Sequence, residues 1–282
     1  MRILLTGANG FLGKSIIKNL KEGNYIVSLS RTSSDYPINL EDEIPNFNQT
    51  FDLVIHAAGK AHNVPQTMEE KKQFYEVNVL GTLHLVKGLE TSGVPGQFVF
   101  ISSVSVYGQV SSITINEEHP KVAKDPYGLS KIQAEKLVLD WCRKHNVICT
   151  ILRLPLLVGK NPPGNLGLML NAIKKGYYFN IDGGKAKKSM VLAEDVAKFI
   201  SIIAPIGGIY NLTDGEHPSF FALSKAISKN NIPNLPLFVA KIFGFIGNLM
   251  GNKCPINSSK IKKITSDLTF DDSKARAMGW NP

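Results

Sequence analysis

Short runs of apolar residues, each followed by a stretch with helical spacing, repeat along the first half of the chain. Ile3, Leu4 and Leu5 lead into a turn carrying Gly7, Gly10 and Gly13, and a helical pattern begins at Phe11, Leu12, Ile16, Ile17 and Leu20. Residues 25–30, 51–57, 97–101 and 147–154 read as further strands, and residues 66–92 and 126–145 as helices. Several of these strands are apolar throughout, which fits strands covered on both faces rather than one. Strands alternating with helices then give an α/β fold, a Rossmann-type doubly wound parallel sheet. Residues 32–50 are polar and broken by Pro37 and Pro45, with a short strand at 36–40, and residues 108–125 read as a long polar loop.

Beyond residue 155 the pattern loosens. Glycines and prolines cluster at 159–167, a short helix runs to about Lys175, 191–203 and 219–228 read as helices, and 209–212 as a strand. We therefore expect a dinucleotide-binding domain over 1–155, to which segments near 190–212 return. Residues 156–282 would form mainly a smaller C-terminal α/β substrate lobe. The apolar stretch 236–250 is too short to span a bilayer and contains Lys241. It reads as a lobe helix, with an interfacial membrane contact as the alternative.

Composition changes this picture in few places. The balance of 32 Lys and Arg against 23 Asp and Glu leaves a formal charge of +9, which suits anionic partners. No basic block is interleaved with aromatic residues, so nucleic acid is not expected. The densest basic cluster, Lys185, Lys187 and Lys188, also reads as a solvated loop. Cys142, Cys149 and Cys254 form no CxxC and read as reduced thiols of a cytoplasmic protein. The six histidines show no metal-ligand spacing. The N-terminal apolar run is too short for a signal peptide.

The glycine turn is where chemistry enters. A strand, a turn with three glycines and a helix form the context in which a dinucleotide pyrophosphate meets a helix N-terminus. The second strand ends at Ser30-Arg31-Thr32 without the acid that holds ribose hydroxyls in NAD sites; Asp35 comes only later. The Arg31 fork suits a 2′-phosphate, which favours NADP over NAD. The strand at 51–57 ends in His56-Ala57-Ala58-Gly59, small residues that let a cofactor lie against backbone, although a lone histidine is more often structural. Tyr127 and Lys131 stand four apart, on one helix face. A lysine beside a phenol lowers its pKa and fits it for proton transfer. Ser103 ends a core strand on the same sheet edge.

TGANGFLG, HAAG, ISSVSVYG and YGLSK, with ILRLPLLVG at 151–159, MVLAEDVAKFI at 190–200 and the closing DDSKARAMGW, occur in an order and spacing that resembles the extended short-chain dehydrogenase/reductase family. Specifically, the chain resembles the nucleotide-sugar epimerase/dehydratase branch. The resemblance implies that Tyr127 is the catalytic acid/base, that Lys131 anchors the nicotinamide ribose, and that Ser103 is the catalytic hydroxyl residue. It places Gly7, Asn9, Gly10, Phe11, Leu12, Gly13, Arg31, Asn39, Leu40, His56, Ala57, Ala58, Asn78, Ile101 and Leu154 around the NAD or NADP. Ser103, Ser105, Tyr127, Arg153, Asn165 and Lys188 would face a nucleotide-diphosphate sugar. A homodimer is implied in the same way.

Departures narrow the chemistry. The dehydratases of this branch carry an Asp-Glu pair after the hydroxyl residue, where this chain has Val104 and Ser105. What remains is 4-epimerisation of a UDP-sugar or reduction of a 4-keto UDP-sugar of the UDP-N-acetylquinovosamine type. A non-catalytic dinucleotide sensor is disfavoured because Ser103, Tyr127 and Lys131 are all present. Lys188 stands where the family often has arginine, losing the bidentate fork. The chain stops at Pro282 where relatives continue into a last short helix, so a slightly abbreviated lobe is expected.

Overall fold

The structure, a computed structural model, describes residues 1–61, 65, 67–228, 230–249 and 257–282. Seven parallel strands form the main sheet. The chain enters through β1 (Arg2–Thr6), crosses over α1 (Phe11–Leu20) to β2 (Tyr25–Ser30) and reaches β3 (Tyr36–Pro37) at one edge. It then reverses, pairing β4 (Leu53–His56) against the free side of β1. From there α2 (Met68–Tyr75) continues through a π-helical turn, Glu76–Leu80, into α3 (Gly81–Ser92). After β5 (Gln97–Ser103) and a short parallel partner strand of the lobe, β6 (Ser112–Ile115), comes the long α4 (Pro126–His145). The sheet is completed by β7 (Ile148–Leu154) and, much later, by an edge strand at residues 208–211, in the order β3-β2-β1-β4-β5-β7-edge. The reversal between β1 and β4 is the switch point at which open α/β sheets bind ligands.

Alternation within the apolar runs explains why they are continuous. Ile3 and Leu5 pack toward α1, while Leu4 packs toward α3 and α4 on the other face. Helix boundaries follow local chemistry. The Asp125 carboxylate accepts from the Gly128 N–H, Pro126 opens α4, and the helix stops at Asn146, which has left-handed φ of 56° behind a basic last turn. Thr67 and Glu70 form a capping box at the start of α2. The expected start of that helix, Gln66, lies outside the described residues, as do Met250 and Cys254. Cys142 and Cys149 are free thiols.

The remaining elements are β8 (Leu156–Val158), α5 (Gly164–Lys174), β9 (Asn180–Ile181), β10 (Met190–Leu192), α6 (Ala193–Ile203), the edge strand β11 (Gly208–Asn211), α7 (Phe220–Ile227), β12 (Asn234–Leu235), α8 (Leu237–Leu249), α9 (Ser258–Thr265), β13 (Leu268–Phe270) and α10 (Ser273–Arg276). Helix α6 packs on α1 beneath the sheet. Two expectations need correcting. The stretch 108–125 is not all loop, because β6 pairs with β13 from the far end of the chain. The helix expected from Val191 starts only at Ala193, since Met190–Leu192 forms β10 beside β8. No described helix is long and apolar enough to cross a membrane, and no group of three or more metal-ligating side chains is found among the described residues.

Candidate active site

Two glycines of the first turn are fixed by close approach. Gly7 has φ of +72°, and a Cβ there would lie 2.7 Å from the Ala58 nitrogen; a Cβ on Gly13 would lie 2.2 Å from the Gly7 oxygen. Any side chain would push β1, α1 and the Ala57-Ala58 segment apart. Around Gly10 only the Gly7 oxygen stands near, so this side of the turn is open, and α1 begins with no side-chain cap on its first N–H groups. Phe11 closes the turn toward the lobe: its ring is 2.9 Å from where a Cβ on Gly159 would sit. Leu12 and Leu154 are buried in the core and Ile101 is half-buried.

The loop after β2 is braced from within. The Asn9 amide donates to Ser30 Oγ (2.8 Å) and the Thr32 carbonyl (2.6 Å), so its exposed side chain holds this loop. Asp35 accepts from both the N–H and the hydroxyl of Ser28, bonds that hold its carboxyl below the usual range. Arg31 is exposed and makes no hydrogen bond or ion pair among the described residues. The Asn39 amide is engaged by Glu41, and Leu40 is buried beside α3. The Leu40 side chain, expected at a cofactor, belongs to the core.

His56 is likewise corrected. Its ring is fully buried, with Nδ1 2.6 Å from Thr6 Oγ1 and Nε2 2.9 Å from Thr82 Oγ1. Thr82 donates to the Asn78 carbonyl and Thr6 accepts from the Ala58 N–H. The one consistent assignment therefore has Thr6 donating to Nδ1 and Nε2–H donating to Thr82. Burial, reinforced by Lys131, drives the ring to a pKa of about 3. It is a neutral clamp between β1 and α3, with no nitrogen left for a ligand. Asn78, in the π-helical turn, accepts from the Lys60 N–H (2.7 Å) and donates to Ser130 (2.9 Å), so it ties the Ala57–Lys60 segment to α4.

The expected Ser103, Tyr127 and Lys131 do converge. Tyr127 and Lys131 lie one turn apart at the start of α4, and Ser103 at the end of β5 stands close enough to the Tyr127 hydroxyl to act on its pKa. The Ser103 hydroxyl also accepts from the Ser105 N–H and donates to Ser105 Oγ, both at 3.2 Å. Lys131 is buried, and its ammonium donates to the Ile101 carbonyl (3.0 Å) and lies 4.8 Å over the Phe100 ring. Burial lowers it to about 8 against the pull of Glu135. The expected depression of the phenol is not found. Burial pushes Tyr127 above its ordinary value, nearby Ser103 opposes this, and Lys131 is turned toward the carbonyl instead.

Arg153 is the largest correction. Rather than facing a substrate it is 2% exposed and forms a two-pronged ion pair with Glu135, at 3.0 and 2.9 Å. Its remaining bonds reach the Tyr107 hydroxyl and the Glu117 carbonyl, and Tyr107 continues to Asn211. Burial alone would raise the Glu135 carboxyl; Arg153, Ser102 and Lys121 outweigh it and hold the group ionised. Glu135 was not foreseen, though its position four residues after Lys131, next to the core residue Ala134, was the available signal. Lys188 donates to the Ser266 carbonyl (2.8 Å), and burial lowers it to about 8. Asn165 is exposed on the first turn of α5.

Comparison with known proteins identifies the family. Residues 3–212 match the NAD dependent epimerase/dehydratase family. An Escherichia coli O157:H7 N-acetyl-alpha-D-glucosaminyl-diphospho-ditrans,octacis-undecaprenol 4-epimerase is 26% identical, over 99% of this chain and 89% of its own. A Vibrio cholerae UDP-glucose 4-epimerase is 27% identical over 99% and 90%. Among solved structures, a Thermotoga maritima UDP-glucose 4-epimerase with UDP-glucose superposes with a TM-score of 0.76 at 19% identity, covering 100% of this chain and 94% of its own. A Pseudomonas aeruginosa protein complexed with NADPH gives 0.73 at 23%, covering 100% and 93%. The chain belongs to the NAD-dependent epimerase/dehydratase family, enzymes of the extended short-chain dehydrogenase/reductase type.

Proposed function

We propose that the protein is a nucleotide-sugar 4-epimerase, acting on a UDP-sugar of the N-acetylhexosamine kind. The observation that carries this reading is the Ser103–Tyr127 hydroxyl pair at the C-terminal edge of the sheet, beside the switch point and one helical turn from a buried lysine. The residues fit a dinucleotide: Gly10 leaves the turn open, Gly7 and Gly13 permit the close backbone packing, and the first N–H groups of α1 carry no side-chain cap. Bound there, a nicotinamide supplies the acceptor and donor of the C4 hydride. Tyr127 carries the C4 hydroxyl proton, taking it as the carbonyl forms and returning it when the hydride comes back to the opposite face. Ser103 holds the sugar oxygen for that exchange, Lys131 meets the ribose, and Asn165 and Lys188 lie on the diphosphate side.

A second reading, an NADPH-dependent 4-keto UDP-sugar reductase, is favoured by particular contacts. Asp35 is engaged by Ser28, while Arg31 at the end of β2 has no hydrogen bond or ion pair among the described residues, which leaves its fork for a 2′-phosphate. The test is to denature the purified protein and identify any released nucleotide. An epimerase should release near-stoichiometric NAD(H) and interconvert UDP-N-acetylglucosamine and UDP-N-acetylgalactosamine without net oxidation. A reductase should be purified empty, bind NADPH and oxidise it with a 4-keto UDP-sugar. Failure to bind either dinucleotide overturns both. A cytoplasmic homodimer completes the proposal, to be read by light scattering.

A further inference from the structure

Helix α8 is packed the wrong way round for a helix that stabilises a fold. Its buried residues are the small ones, Ala240, Gly244 and Gly247, and α9 lies against this stripe, with Ile261 so close that a Cβ on Gly244 would stand 2.5 Å from its Cδ1. The large residues point the other way. Phe238, Phe245 and Leu249 are 67%, 63% and 74% exposed, and Ile242 and Ile246 are exposed with them. Their spacing of three and four places them in one band of about 100° on the helix opposite the glycines. A continuous aromatic and aliphatic band of this kind is uncommon on a surface that meets only water.

The charge of the surrounding sequence points to the counterpart. From His217 to Ser266 the sequence contains no Asp or Glu but seven lysines, Lys225, Lys229, Lys241, Lys253, Lys260, Lys262 and Lys263. Lys241 flanks the band on α8 itself, and Lys262 and Lys263 are exposed on α9. An apolar band with aromatic residues, edged by Lys241 and followed by the exposed lysines of α9 in a stretch of sequence without acids, matches the acyl–headgroup boundary of an anionic bilayer, in which apolar side chains insert and ammonium groups meet phosphates. An acidic protein surface would meet the same charges, and the vesicle experiment below separates it from a bilayer.

We propose that α8, with the lysines of α9, is a peripheral docking surface for anionic lipid bilayers, on which the helix lies in the plane of the interface without crossing it. The proposal does not depend on which sugar the active site takes, and its test uses no substrate. Co-sedimentation would be measured with vesicles of phosphatidylcholine alone and of phosphatidylcholine with 30% phosphatidylglycerol. The wild-type protein should bind the anionic vesicles at least tenfold more tightly than the neutral ones and lose most of that binding in 0.5 M NaCl. Phe238→Ser/Phe245→Ser and, separately, Lys262→Glu/Lys263→Glu should each reduce it at least tenfold. Thermal melting and dinucleotide binding, unchanged in both variants, would show that the fold is intact. Vesicle binding that persists in the folded serine variant, or that is equal on neutral vesicles, would overturn the proposal. So would an absence of vesicle binding together with a serine variant that falls from dimer to monomer in light scattering, because the band would then cover a second copy.

Discussion

Helices α1 and α8 are both rich in large apolar residues, yet they place them oppositely. In α1 the buried side includes Leu12, Ile16 and Leu20, which fill the space between the sheet and α6. In α8 the buried side is Ala240, Gly244 and Gly247, and the phenylalanines stand outside. At roughly 25 cal/mol per Å2 of apolar area removed from water, the first arrangement stabilises the chain, while the outward band of the second adds little to folding. A hydrophobic pattern therefore announces a helix in both cases. Only the distribution of residue size over its faces separates a helix that holds the protein together from one whose larger face awaits something else.

The contrast can be broken most severely in the half that carries the main sheet. Arg153→Met leaves the buried Glu135 carboxylate with Lys121 and Ser102 alone and should cost about 3–5 kcal/mol, read as a fall in urea midpoint. Adding Glu135→Leu should recover part of that loss, because no buried charge is then left unpaired. Acid sharpens the same half. His56 is held neutral down to a pKa of about 3, against 6.5 unfolded. Below pH 6.5 the unfolded chain therefore binds a proton the native chain does not, and stability falls as pH drops. That contribution is on the order of 3 kcal/mol by pH 4, and His56→Asn should show a correspondingly shallower loss in urea titrations from pH 7 to 4.

In the lobe, Gly244→Leu forces α9 away from α8 and should cost roughly 1–3 kcal/mol with dinucleotide affinity unchanged. A loss of dinucleotide binding there would show that the two regions are not independent. The smallest expected change is Arg31→Ala. It should weaken NADP(H) about tenfold and leave NAD(H) unaltered in fluorescence titration, and equal losses would contradict a phosphate-reading role.

The sheet was legible because its strands are buried on both faces and so appear as unbroken apolar runs. β6 and β13 were not, since Ser112–Ile115 finds its partner at Leu268–Phe270 and nothing local marks the pairing. In sequence β10 merges with the helix after it, because Met190, Val191 and Leu192 suit either element. In the site, the spacing of Tyr127 and Lys131 and the strand-end position of Ser103 were enough to bring the three together. Direction was not encoded. An arginine in a strand gives no sign of whether it faces a ligand or a buried glutamate, and the ammonium of Lys131 chooses the Ile101 carbonyl through contacts that only the folded sheet provides. The motif at His56 allows a structural histidine but gives no sign of its partners, Thr6 and Thr82, which lie on two other elements.

The account rests on the proton carried between Tyr127 and the sugar, and Tyr127→Phe tests it directly. Removing one hydroxyl while keeping the ring should lower the turnover number by 10²–10⁴ in whichever of the two assays the wild-type protein supports. Dinucleotide affinity and melting temperature should stay at wild-type values. A folded phenylalanine variant that turns over within threefold of the wild type would contradict the account.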